Sequence, residues 1–201
     1  MIRKACKADI PAIAAIYDRL HDAEEAGKAE IGWVRGVYPT KGTAQAALER
    51  GDLFVMEEGG KVVGAAILNQ TQVPEYYGAP WEFPAQDEEV MVLHTLTIDP
   101  NTAGKGYGKA FVAFYEQYAR ENGCRVLRMD TNRRNARARK MYAGLGYREI
   151  GIVPCDFNGI SGIELVLLEK PLFCPEGKNR KNEGEKCVPA HASRCSSPPP
   201  A

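Results

Sequence analysis

Residues 90–99 read VMVLHTLTID, and the chain then passes through Pro100 and a glycine-rich turn, AGKGYG, into the stretch FVAFYEQYAREN. A run this rich in β-branched and large apolar residues suits a strand buried on both faces, in the middle of a sheet. A central strand that turns tightly into an amphipathic helix commits the chain to a sheet covered by helices, and every other segment has to fit that frame.

The flanking segments fit it. Residues 2–5 read as a short strand. Asp9 reads as the N-cap of a helix whose apolar positions Ile10, Ile13, Ile16, Tyr17 and Leu20 recur at helical spacing. Thr43 reads as the cap of a second helix, AQAALER, and LFVMEE and KVVGAAILNQ flank Gly59 and Gly60 as the arms of a hairpin. Beyond the glycine turn come a strand VLRMDT, a helix ARARKMYAGL and two strands, YREIGIV and GIELVLLEK. Hairpins pair antiparallel and helical crossovers return the chain parallel. The order therefore predicts an α/β (α+β) chain: a mixed central sheet of about seven strands with helices on both faces.

At 201 residues the chain suits a single core, and the periodic pattern assigns it to residues 1–170. Residues 171–201 carry Pro, Ser, Lys and Glu but few large apolar side chains, so a disordered tail is expected. Cys187, His191 and Cys195, with Cys174, supply zinc-ligand types there, but the paired CxxC spacing of a zinc site is missing and no metal is expected. Lys plus Arg number 26 and Asp plus Glu number 26, which removes any global attraction to nucleic acid or an anionic membrane. No stretch has the unbroken apolar length of a signal peptide or a spanning helix, so a cytoplasmic protein with free thiols at its six cysteines is expected.

Gly104, Gly106 and Gly108 lie between strand and helix, where bare backbone approaches a phosphate closely and the helix start adds unpaired N–H groups. Lys105 and Lys109 add positive charge. A Walker A loop is excluded because Lys109 is followed by Ala110. A dinucleotide site stays open through Asp130, placed as a ribose-binding acid would be, although GKGYGK lacks the GxGxxG spacing.

Further on, RRNARARKMYAGLGY sets Asn135 and Tyr142 two helical turns apart on one face. Together the two segments resemble the GCN5-related N-acetyltransferases. The family's Q/R-x-x-G-x-G/A signature matches residues 103–108, with Ala103 in place of the usual Arg or Gln. Its N-x-x-A-x-x-x-Y-x-x-x-G-F/Y signature is met by Asn135, Ala138, Tyr142, Gly146 and Tyr147. The resemblance implies acetyl-CoA as cosubstrate, with backbone groups of Leu96 and Ile98 on the pantetheine arm. It implies that Ala103, Gly104, Lys105, Gly106, Tyr107, Gly108 and Lys109 cradle the pyrophosphate. Asn135 would meet the cofactor arm, Tyr142 would protonate the leaving thiolate, and one or two of Arg133, Arg134, Arg137, Arg139 and Lys140 would meet the 3′-phosphate.

An amine attacks a thioester only when neutral, so a base is required. His94 is the candidate, since histidine titrates in the useful range and strand alternation puts it on one face with Leu96 and Ile98; Glu88 or Glu89 acting through water is the alternative. The acceptor is expected against residues 31–39 and 72–81, where Trp33, Tyr38, Tyr76, Tyr77 and Trp81 form an apolar wall. A small-molecule amine, an amino acid and a peptide N-terminus all stay open, as does a homodimer. A non-catalytic acyl-CoA sensor is the competing function of a different class.

Overall fold

The structure, a computed structural model, describes residues 1–172. Its elements in chain order are β1 (Ile2–Lys4), α1 (Ile10–Glu25), α2 (Lys41–Arg50), β2 (Leu53–Glu58), β3 (Lys61–Asn69), β4 (Val90–Ile98), α3 (Tyr107–Glu121), β5 (Val126–Asn132), α4 (Ala136–Gly144), β6 (Arg148–Phe157) and β7 (Ile160–Pro171). The strands form one seven-stranded sheet in the order β1-β2-β3-β4-β5-β7-β6. Every neighbouring pair is antiparallel except β4 with β5, the pair joined by the α3 crossover. The expected mixed sheet is the fold of the chain.

Alternation along the strands distributes the helices. Leu53, Val55, Ala65 and Ile67 pack with Ile10, Ile13, Tyr17, Ala44 and Ala47 from α1 and α2, whereas Phe54, Met56, Ala66 and Leu68 meet Phe111, Val112 and Tyr115 of α3. Over β5, β7 and the start of β4 no α-helix among the described residues covers the α1 side. The irregular segment between β3 and β4 covers it instead, with Tyr76 fully buried against Val90, Val92, Val126, Leu165 and Leu167. One buried carboxylate fastens this cover. Glu169 is 0% exposed, receives N–H groups from Glu82 at 2.9 Å and Phe83 at 3.2 Å, and pairs with Arg128 at 3.2 Å. The Arg128 guanidinium lies 4.2 Å from the Trp81 ring centre.

Three local expectations are refined. Asp9 stands at the N-cap position of α1 but its side chain makes no cap bond: the carboxylate accepts the Cys6 N–H at 2.8 Å and two bonds from Arg3, because a turn of 3-10 helix (Lys7–Asp9) precedes the α-helix. The cap of α2 is Thr40, three residues before Thr43. The two threonines exchange bonds, Thr43 N–H to Thr40 Oγ1 at 3.4 Å and Thr40 N–H to Thr43 Oγ1 at 3.0 Å. The last hairpin is longer than expected, since Asn158 (φ 52°) and Gly159 (φ 78°) form its turn and carry β6 and β7 well past the sheet. No helix among the described residues is long and apolar enough to cross a membrane. The tail from 173 on, with its Cys174, Cys187, His191 and Cys195, lies outside the described residues.

Candidate active site

The parallel ladder between β4 and β5 runs from Val90↔Val126 to Leu93↔Met129 and stops there, although β4 continues to Ile98 and β5 to Asn132. Past this fork a cavity of about 1430 Å³ opens. It is lined by the C-terminal part of β4, residues 102–109, the end of β5, α4, the loop before α2 and the tip of the β6–β7 hairpin.

A bulge shapes the fork. Ile67 pairs with His94 and Ala65 with Thr97, so Thr95 and Leu96 together face the single residue Ala66. Thr95 takes up the extra length at φ 51°, a left-handed conformation that is costly for a β-branched residue, and the Tyr38 hydroxyl bonds its Oγ1 from the loop before α2. The bulge inverts the alternation beyond it. Leu96 and Ile98 pack with the Met91 and Leu93 cluster under α3, while His94 keeps the parity of Val90 and Val92 on the opposite face. The expected shared face of His94, Leu96 and Ile98 is therefore corrected, although all three line the one cavity.

At the other end stands the glycine turn. Gly104 (φ 85°) and Gly106 (φ 78°) hold backbone conformations that side chains resist, and a Cβ at Gly108 would come 3.1 Å from the Met141 sulfur of α4. Among the described residues, the N–H groups of Gly104, Lys105, Gly106, Tyr107, Gly108 and Lys109 have no acceptor within the protein. The first amide to find one is Ala110, on the Gly106 carbonyl at 3.0 Å. Six consecutive donors at a helix start, with Ala103, Lys105 and Lys109 on the same cavity wall, suit the paired phosphates of an anionic ligand.

Asn135 caps α4, its Oδ1 accepting the Ala138 N–H at 3.1 Å, which leaves its amide group for the cavity. Tyr142 packs its ring 5.9 Å from that of Tyr147, yet among the described residues its hydroxyl has no hydrogen-bond partner, and the residue lines the cavity. Burial pushes its pKa well above the usual phenol range, so it holds its proton. Of the basic cluster, Arg133 pairs with Glu164, Arg134 with Glu24 and Arg139 with Glu149. Arg137 lines the cavity, and among the described residues it has no ion-pair partner.

Two further groups face the fork. His94 is held through Nε2, which donates to the Thr71 carbonyl at 3.2 Å and to Asn69 Oδ1 at 3.1 Å. Asn69 is itself oriented by giving its Nδ2 hydrogen to Asp52 and receiving the Thr71 N–H, so its oxygen is the acceptor and His94 Nδ1 is left with its lone pair. Burial lowers the His94 pKa to about 4, which keeps the ring neutral. Asp130, on β5 just past the last residue paired with β4, accepts the Tyr76 hydroxyl at 2.8 Å. Burial, with a smaller contribution from the neighbouring charge of Glu75, raises its pKa to about 6. Its charge is also felt at Tyr142, Tyr38 and Cys155.

A sequence model of the acetyltransferase (GNAT) family matches residues 15–147. The chain belongs to the GNAT acetyltransferase family. An N-acetyltransferase of Bacillus subtilis, YhfO, is 24% identical over 150 residues, 74% of this chain and 89% of that protein. An N-acetyltransferase of Methanocaldococcus jannaschii is 28% identical over 100 residues, 50% of this chain, and the match spans only 40% of that relative's length. Among solved structures, the ribosomal-protein-alanine N-acetyltransferase of Brucella melitensis superposes with a TM-score of 0.63 at 24% identity, covering 85% of this chain and 99% of that one. A Salmonella typhimurium acetyltransferase solved with its cofactor acetyl-CoA gives 0.60 at 20% identity, covering 89% and 97%.

As a member of the GNAT family the chain is an acetyl-CoA-dependent acyltransferase rather than a dinucleotide-binding protein. The fold joins the two signature segments on one cavity, from Ala103 through Lys109 to Asn135 and Tyr142. Of the expected aromatic wall, Trp33 and Tyr38 line the cavity, Tyr76 and Trp81 are packed beneath it and Tyr77 is turned outward. Glu88 and Glu89 are not on the cavity: they sit at the opposite end of β4, where Glu89 pairs with Arg125. Asp130 as a buried carboxyl at the fork, and Phe157 and Ile163 as wall, escaped sequence reasoning. The Asn158-Gly159 pair is a legible hairpin signal that would have extended β6 and β7 to the cavity.

Proposed function

We propose that the chain transfers the acetyl group of acetyl-CoA to a primary amine by direct attack, without a covalent enzyme intermediate. The observation that carries this reading is the convergence, at the β4–β5 fork, of an unpartnered phenol on Tyr142, a buried carboxyl on Asp130 and six bare amides at the start of α3. Bound there, acetyl-CoA supplies an electrophilic thioester. The amides of residues 104–109 hold its pyrophosphate, Leu96 and Ile98 offer backbone groups to the pantetheine arm, and the amide of Asn135 meets the same arm.

Asp130 takes the proton of the arriving ammonium, since a carboxyl poised at about 6 is ionised at neutral pH and more basic than His94 at about 4. His94 orients the amine with its free Nδ1. The amine nitrogen bonds to the carbonyl carbon, a backbone N–H near Leu96 receives the developing oxyanion, the carbon–sulfur bond breaks as Tyr142 gives its proton to the thiolate, and the second proton of the attacking nitrogen passes to the Tyr142 phenolate, leaving the neutral amide and restoring the phenol. Cys124, buried between α3 and β5, takes no part. The experiment is steady-state kinetics of Tyr142→Phe with acetyl-CoA and an amine acceptor. A fall in kcat of ~100-fold with unchanged coenzyme A affinity is expected, and an unaltered kcat and pH profile would remove Tyr142 as the acid.

A further inference from the structure

The end of the cavity away from the glycine turn defines the acceptor. Its walls are Trp33, Tyr38, Val73, Phe157, Ile163 and Leu165, and Asp130 is set among them. Among the described residues no basic side chain pairs with Asp130, whose protein contact is the Tyr76 hydroxyl. The neighbouring Glu75 has a buried carboxylate oxygen with no partner. The basic side chains along the cavity are committed elsewhere. Lys105, Lys109 and Arg137 belong to the glycine turn and α4, Arg50 is gripped by Asp52 at 2.9 and 3.3 Å, and Lys28 is exposed beyond the end of α1. This end thus combines apolar and aromatic surface with negative charge that the protein leaves uncompensated.

It is also bridged. The loop between α1 and α2 is drawn down by Glu24, whose carboxylate accepts the N–H groups of Ile31 at 2.5 Å and Gly32 at 3.1 Å. Gly32 lies so close to Asn132 at the end of β5 that a Cβ would fall 2.2 Å from its amide nitrogen. Further along, Val37 meets the β6–β7 turn, 3.2 Å from where a Cβ on Gly159 would stand, and Tyr38 bonds Thr95. The loop spans from β4 to β5 and to the last hairpin, so a polypeptide entering this end would have to part three contacts.

Building on the acetyltransferase reading of this site, we infer that the acceptor is a small primary amine with an aromatic body and no carboxylate beside the nitrogen, its ammonium received by Asp130. An α-amino acid would set its own carboxylate against Asp130 and Glu75, where like charges repel across a poorly solvated space. A peptide N-terminus lacks that charge but has a chain the bridged end does not admit.

The test uses the full chain, acetyl-CoA and release of free coenzyme A thiol, with phenethylamine, phenylalanine and a pentapeptide beginning with phenylalanine as acceptors. Phenethylamine is expected to exceed the other two in kcat/KM by at least ~10-fold. Asp130→Asn is expected to lower its kcat/KM by a similar factor while calorimetry finds coenzyme A binding unchanged, which also reports that the variant is folded. Equal or better turnover of phenylalanine or the peptide overturns the inference, as does an Asp130→Asn enzyme with undiminished kcat/KM. Coenzyme A binding without turnover of phenethylamine overturns the acceptor assignment alone, whereas no coenzyme A binding overturns the acetyltransferase reading beneath it.

Discussion

Gly104, Gly106 and Gly123 all sit at positive φ, at 85°, 78° and 75°, and a Cβ built on any of them meets nothing within 4 Å. Replacing each by alanine therefore introduces the same backbone penalty with no steric clash, about 1–2 kcal/mol for an L-residue in the left-handed region. In a chain of this size that is a fall in Tm of roughly 2–8 °C, similar for all three. Ligand binding separates them. The open space beside Gly104 and Gly106 is where a pyrophosphate would press on the bare amides, while Gly123 lies in the turn between α3 and β5. Coenzyme A at 100 times its Kd stabilises the native chain by about 2.7 kcal/mol; if the substitution raises Kd tenfold, the same concentration stabilises by only about 1.4 kcal/mol. Thermal unfolding with and without coenzyme A should show the full ligand-induced rise for Gly123→Ala and about half of it for Gly104→Ala and Gly106→Ala. Full stabilisation of all three variants would mean that these amides do not hold the phosphates.

The remaining predictions are briefer. Arg137→Ala should raise KM for acetyl-CoA by ~10-fold and leave KM for 3′-dephospho-acetyl-CoA unchanged, because Arg137 is the cluster arginine not committed to an ion pair among the described residues; an equal effect on both cosubstrates refutes the contact. With Asp130 as base, kcat/KM should fall below about pH 6 and this limb should vanish in Asp130→Asn. The same shift acts on stability with a definite sign. A carboxyl raised from 3.8 to about 6 by folding holds its proton in the folded state when the unfolded chain has lost it, so stability drops by about 3 kcal/mol as pH rises from ~4 to ~6 and then levels; urea titrations of Asp130→Asn should lack that drop. Glu169→Ala leaves Arg128 buried and unpaired and frees two backbone N–H groups, so urea unfolding should show a loss of about 3–5 kcal/mol; a loss under ~1 kcal/mol would show that the cover over β4 and β5 is fastened by other contacts.

What the sequence determined is what depends on near neighbours in the chain. Apolar period marks the strands and helices because each face must be buried. Gly104 and Gly106 mark the tight turn before α3 because their own φ angles demand glycine. Asn135 and Tyr142 reach one site because seven residues of helix set them two turns apart. Within this range Thr40 rather than Thr43 caps α2, and Asp9 holds the N-cap position of α1 with its carboxylate turned to Cys6 and Arg3, since several polar groups near a helix start compete for the cap. The tertiary structure decided what depends on distant partners. Tyr38 pins Thr95 from 57 positions away, and the bulge there sends His94 to the face opposite Leu96 and Ile98, against the plain alternation of a strand. Asp130 is an ordinary acidic residue in the sequence, and its pKa rises to about 6 only because the fold buries it, beside a Tyr76 hydroxyl from 54 positions earlier, at the point where β4 and β5 part. Desolvation and bulge geometry belong to the packed surroundings of a residue, and no pattern along the chain records them.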